Sequence, residues 1–163
     1  MGVRNCADIG ENLQKVIKRL MANENLCKLL YYTDKDPLSQ PNLTDEQKKN
    51  ELYNKLIKIT PRLDPTETAH SVVGVLCTKG AGLAENSEFK VVVIRVEVFV
   101  PMTQWMIKDT NLRPYAILGE IQRSLDGKTV NGLGKMQGGD FDYNFGTDEM
   151  TDFVQVFTLT SYD

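Results

Sequence analysis

Glycines and acids crowd the stretch Asp126–Gly146, DGKTVNGLGKMQGGDFDYNFG. Such a segment can cradle a phosphate, ligate a cation or bring one strand close against another backbone. A dinucleotide loop needs G-x-G-x-x-G after a strand. Here Gly132-Leu-Gly134 follows a helical pattern, and Gln137 stands where the third glycine belongs. A phosphate loop of the G-x-x-x-x-G-K-[ST] kind fails as well, because Met136 follows Lys135 in place of the hydroxyl residue. The calcium reading starts well, with Asp140, Asp142 and Asn144 at alternate positions. It then fails where Phe145 replaces the sixth-position glycine and Thr151 the closing glutamate. The same alternation describes a strand, with Asp140, Asp142 and Asn144 on a wet face and Phe141, Tyr143 and Phe145 on an inner one.

The remaining reactive residues are scattered. His70 is the single histidine, and its pairing with Cys77 as thiol and base has no recognisable nucleophile motif around it. Glu97, Asp109, Glu120 and Asp126 are acids available for hydrolysis, but no spacing selects a pair. Glu97 beside Arg95 on a strand reads more simply as a pairing charge, within the chain or across a subunit boundary. Cys6, Cys27 and Cys77 are odd in number and lack a C-x-x-C pair, which argues against a disulfide framework or zinc cluster. The expectation is a protein without catalytic residues, cofactor or metal.

Charge narrows the partners. Residues 1–135 hold all 19 Lys and Arg against 16 Asp and Glu, whereas 136–163 hold six acids and no base. A tail of that kind does not grip nucleic acid, although DNA can pass it unheld. No run of apolar residues is long enough to span a bilayer, since Arg95 and Glu97 interrupt Val91–Val100.

The elements that must position these residues follow from periodicity. Ile9, Leu13, Val16, Ile17 and Leu20 form a helical stripe after a cap at Asp8, and Leu26, Leu29 and Leu30 extend it past a break at 23–25. Thr44-Asp-Glu-Gln47 is a capping box opening a helix with Leu52, Leu56 and Ile59, which Pro61 stops. Residues 60–71 read as a connection, 71–77 as a short strand and 79–87 as a glycine-bearing turn. The long strand 89–100 sets Val92, Ile94, Val96, Val98 and Val100 on one face and Val91, Val93, Arg95, Glu97 and Phe99 on the other. A helix over 113–125, two short twisted strand pieces at 129–136 and 141–145, and a last strand over 153–160 complete the chain. The fold class is α+β: N-terminal helices, then a mainly antiparallel β-β-α-β-β sheet domain with one backing helix. Residues 1–60 form a helical segment packed on or decorating the core, and 61–163 form the α+β domain.

One run is specific enough to compare with a family. The Val/Ile strand ends in Val98-Phe-Val-Pro-Met-Thr-Gln-Trp105, and Leu112-Arg-Pro-Tyr-Ala-Ile-Leu-Gly-Glu-Ile-Gln-Arg-Ser-Leu-Asp-Gly-Lys128 follows. With the turn-rich and closing strands behind it, this run resembles the neck and tail-completion proteins of tailed bacteriophages, tail terminators above all. The resemblance spans residues 68–163.

It implies a structural virion protein, assembled in the host cytoplasm, that forms a homohexameric ring at the head-proximal end of the tail. Such a ring ends tube growth and joins tail to head, meeting tail tube protein and head-closure or neck protein, with sheath protein as a further neighbour. Phage DNA crosses its lumen without specific binding. On that layout Val91, Val93, Arg95, Glu97 and Phe99 face the next subunit. Asp140, Asp142, Asp148, Glu149 and Asp152 line the channel, and loops carrying Thr60, His70, Lys79 and Glu85 dock above and below. A head-closure or adaptor ring of the neck, and a monomeric or dimeric binding module, are the alternatives.

Overall fold

The computed structural model describes residues 6–59, 70–82, 89–130 and 134–160. Helices α1 (Cys6–Met21), α2 (Glu24–Tyr31) and α3 (Asp45–Gln47, continued by a π-helical turn Lys48–Leu52) lead into β1 (Ile57–Lys58). Strands β2 (Val72–Gly82) and β3 (Phe89–Pro101), helix α4 (Arg113–Leu125), and strands β4 (Thr129–Val130), β5 (Gly134–Gly146) and β6 (Met150–Thr160) follow. The six strands make one curled mixed sheet in the order β1-β2-β3-β6-β5-β4, antiparallel except for β1 beside β2. The fold is thus α+β, as periodicity predicts.

Local chemistry explains the helix boundaries. Asn23 caps α2 by accepting from the Leu26 amide, and the Thr44–Gln47 capping box is complete in both directions. The stripe of α1 buries Leu13, Val16, Ile17 and Leu20, but the helix begins by Cys6, which puts Asp8 in its first turn rather than at its cap. In α4, Pro114 occupies the first turn while Ile117, Leu118, Ile121 and Leu125 turn inward. They meet Val92, Ile94, Val96 and Val98, each at most 3% exposed, in one hydrophobic core. That core also takes Leu13, Leu26, Leu30 and Ile57, so the helical segment is a packed part of the core and no outer decoration.

Three expectations change. The helix predicted through Ile59 stops at Leu52; Asn54 takes a left-handed φ of 54°, the chain reverses, and Ile57 joins the sheet as β1. The turn predicted from Lys79 is still strand, because β2 continues past a bulge after Cys77 and pairs as far as Gly82. A partner as long as β3 supplies the ladder that glycine-rich residues 80–82 do not promise by propensity. Finally, the two short pieces predicted at 129–136 and 141–145 are redrawn: Thr129–Val130 is the separate β4, and β5 runs unbroken from Gly134 to Gly146.

Glycine makes that strand possible. Gly138 has φ +136° and Gly139 φ +105° at a register shift where β5 slips against β6. A Cβ on Gly138 would stand 2.5 Å from the Val156 carbonyl oxygen and 3.2 Å from Phe157 Cα, both backbone atoms. Gly138→Ala is therefore expected to cost about 2 kcal/mol of stability. Urea unfolding checks this, and an unchanged midpoint would contradict the close approach of β5 to β6.

Candidate functional site

Alternation on β3 divides the sheet into two faces. The helices cover Val92, Ile94, Val96 and Val98, while Val91, Val93, Arg95 and Glu97 on the opposite face stay half-buried. Register places Arg95 beside Val156 and Leu76, Glu97 beside Val154 and Gly74, and Phe99 beside Asp152 and Val72. The next strand adds Asp140 opposite Val156 and Asp142 opposite Val154. A shallow cavity of about 370 Å³ lies on this face, between Thr78, Arg95, Asp142, Asn144, Val154 and Val156.

Its polar groups are incompletely paired. Asp152 is 1% exposed; its Oδ2 accepts from Asn144 Nδ2 at 2.7 Å, but its Oδ1 has no partner among the described residues. The buried Nε of Arg95 also lacks one. Burial pushes the Asp152 carboxyl up to about 6, and the nearby Glu97 charge adds to the shift. The Asn144 hydrogen bond and the Arg95 guanidinium oppose it without cancelling it. Buried donors and acceptors in native proteins nearly always find partners, so two such atoms near one another set this region apart from the rest of the core.

The strand–Pro–Trp–helix run forms the end of this framework. Pro101 closes β3, a turn at Met102–Gln104 follows, and Trp105 Nε1 donates to Thr151 Oγ1 at 2.9 Å. The Trp105 ring lies 6.0 Å from Phe153 and 6.2 Å from Tyr115 between centroids. The Trp105 carbonyl accepts the Arg113 amide at 2.7 Å, which locks the turn to the start of α4.

The structure sorts the predicted site residues. Arg95 and Glu97 share the open face with Val91 and Val93, whereas Phe99, only 8% exposed, already belongs to the core. Asp140, Asp142, Asp148 and Glu149 are exposed. Asp148 and Glu149 sit in the β5–β6 turn, where Thr147 Oγ1 accepts from the amides of Glu149 and Met150. Asp152 is the exception: its burial under Asn144 removes it from any channel wall. Of the docking loops, Lys79 is a strand residue opposite Val93, and His70 lies 3.3 Å through Nδ1 from the Leu30 carbonyl at the end of α2. Thr60 and Glu85 lie outside the described residues.

The face of β5 runs opposite to expectation. Phe141, Tyr143 and Phe145 are 47%, 56% and 48% exposed, not inward. Phe141 and Tyr143 follow the helix side of the sheet, but β5 is near its edge, where α4 covers Gly139 and leaves the strand's later residues open. Alternation selects a face; position in the sheet decides whether anything covers it.

Sequence reasoning also passed over two buried polar residues. Gln155 is 1% exposed, donating through Nε2 to the carbonyls of Leu118 at 3.3 Å and Gly139 at 2.9 Å. Its signal was available: Gln155 occupies the same face as Phe153 and Phe157 in an otherwise apolar alternation. Arg113 is wholly buried, and an arginine opening a helix opposes the macrodipole, a mismatch that points to another duty.

The comparisons with known proteins give one match. The YomW family model matches residues 23–159, from the cap of α2 to the end of β6. No curated protein matches the chain.

Proposed function

Because the chain belongs to the YomW family, which is phage-associated, we propose that it is a non-enzymatic structural protein of the virion. It forms a closed ring at the head-proximal end of the tail, ends tube growth and joins tail to head. The observation that carries this reading is the sheet face of Val91, Val93, Arg95 and Glu97, half-buried and with no described helix packed on it. Val91, Val93, Arg95 and Glu97, half-buried in the subunit, meet the adjacent copy there. A face that meets a different patch of the next copy is a heterologous contact, and rotation closes such contacts into rings.

The exposed acids fit the same layout. Asp148 and Glu149 at the turn, with Asp140 and Asp142 along β5, give that end of the subunit a negative surface with no base from residue 136 onward. Such a surface repels a phosphate backbone and lets DNA slide by. The strand–Pro–Trp–helix run, now a braced corner between β3, β6 and α4, supports the likeness to tail-completion proteins.

Light scattering on the purified chain tests the ring. The expected mass is that of six 18.4 kDa subunits, ~110 kDa, and Arg95→Glu is expected to reduce it to a single subunit. A wild-type chain that stays at 18.4 kDa at high concentration, alone and with tail tube or neck protein, would end this reading.

A further inference from the structure

Three features coincide on the outer side of β5. First, its free edge: β4 pairs only with Gly134 and Lys135, so from Gly139 to Gly146 the strand has β6 on one side and no described strand on the other. Second, a row of exposed rings stands beside that edge. Tyr115, Phe141 and Tyr143 are 45%, 47% and 56% exposed, with Tyr115 and Phe141 centroids 6.0 Å apart and Phe153 beneath them. Third, a cleft of about 490 Å³ separates α4 from β5, walled by Tyr115, Leu118, Gln122 and Phe141. Gly119 borders it, and a Cβ there would meet nothing within 4 Å. Gln155 forms its floor, and the buried Oε1 of that residue has no hydrogen-bond partner.

The opposite face of the same strand carries Asp140 and Asp142, both exposed. Any strand laid against β5 sends its side chains alternately to these two faces. We propose that β5 takes an added strand from another protein, a segment alternating apolar residues with Lys or Arg. Its apolar side chains cover Tyr115, Phe141 and Tyr143, and its cations meet Asp140 and Asp142. Main-chain hydrogen bonds to the free edge give affinity, and the two faces give specificity.

A second copy of this chain is a poorer occupant. Pairing β5 with β5 of another copy sets Asp140 and Asp142 against identical acids. The other open edge of the sheet, β2 beyond Gly74, carries one base, Lys79. In the proposed ring, strand addition takes Asp140 and Asp142 out of the channel wall and leaves Asp148 and Glu149 there; outside a ring the same edge and faces are free to take the strand.

The test uses the full chain and fluorescein-labelled peptides of about nine residues, long enough to span the free edge. One alternates leucine with lysine, one replaces lysine by glutamate, and one has proline at its centre. Fluorescence anisotropy should show binding of the lysine peptide that weakens ~tenfold between about 50 and 300 mM salt. The glutamate and proline peptides should bind at least ~tenfold more weakly, as should the lysine peptide to Phe141→Ser or Asp142→Asn. Circular dichroism on both variants verifies that they remain folded. The proposal is overturned if the lysine peptide fails to bind, or if Phe141→Ser, Asp142→Asn or the proline leaves its binding unchanged. Light scattering on the same samples separates the readings. Retained ring mass with lost peptide binding supports a separate partner site; lost ring mass in Phe141→Ser without peptide binding to wild type assigns the face to copy–copy contact instead.

Discussion

Arg113→Ala is expected to lower the unfolding free energy by about 3–5 kcal/mol, a large share of what a domain of this size possesses. The reason lies in what the guanidinium holds. Arg113 is 0% exposed, and the nearby Asp34 charge favours its cation against the cost of burial. The guanidinium donates to four backbone carbonyls: Gln104 at 2.9 Å through Nε, Leu29 at 2.5 Å and Tyr32 at 2.9 Å through Nη1, and Asp34 at 2.7 Å through Nη2. Those carbonyls belong to the end of α2, the chain leaving it, and the turn before Trp105. Desolvating the cation costs several kcal/mol, which four charge-assisted bonds at roughly 1.5–3 kcal/mol each offset. Truncation strips four acceptors of their donor at once, two of them in buried bonds and two in partly buried ones.

Arg113→Lys separates charge from geometry. An ammonium keeps the charge but lacks the planar fork that reaches three chain segments together, so about half the loss is expected to persist. Urea denaturation of both variants, with light scattering on the folded fraction, is the measurement. If lysine restores the full stability, the carbonyl clamp is not what holds α2 to α4. If alanine costs under ~1 kcal/mol, the network contributes nothing of the size that four charge-assisted bonds to carbonyls imply.

Asp152→Asn is expected to stabilise the subunit at neutral pH, on the order of 2 kcal/mol, and to leave it unchanged near pH 4. Burial, with help from Glu97, pushes the Asp152 carboxyl up to about 6 in the folded chain from its ordinary 3.8. Between those values the folded chain holds more protons than the unfolded chain, so stability falls as pH rises through the window. Above about pH 6 the full cost of a charged, half-partnered carboxylate is present; below 3.8 both states are protonated and the cost vanishes. An asparagine keeps an oxygen for Asn144 Nδ2 and removes the charge. Urea midpoints at pH 4 and pH 7.5, at dilutions where scattering reads one 18.4 kDa subunit, give the comparison. A variant less stable than wild type at pH 7.5 would mean that the carboxylate is well satisfied within the subunit.

Much of the fold was legible because it rests on local rules. The α4 stripe of Ile117, Leu118, Ile121 and Leu125, the Thr44–Gln47 capping box and the valine alternation of β3 each state their structure within one element. The site was legible only in part. Arg95 and Glu97 announced themselves as charges in a hydrophobic strand, and they do sit together on the face that no described helix covers. Lys79 and Ile57 were misplaced because strand length and β1 depend on a distant partner, β3 for the first and β2 for the second.

The glycine- and acid-rich stretch shows where the division falls. By itself the sequence settled that Asp126–Gly146 matches neither a phosphate loop nor a calcium loop, because those chemistries need particular residues at particular spacings. It also settled that Asp140 and Asp142 share a side of a strand, since alternation is a property of the backbone alone. Only the tertiary structure decided that Phe141 and Tyr143 stand in solvent, that Asp152 is buried with one oxygen unpaired among the described residues, and that Gly138 must remain glycine. Exposure, desolvation and steric approach depend on which elements arrive from elsewhere in the chain, and β5 lies at an edge that α4 covers only in part.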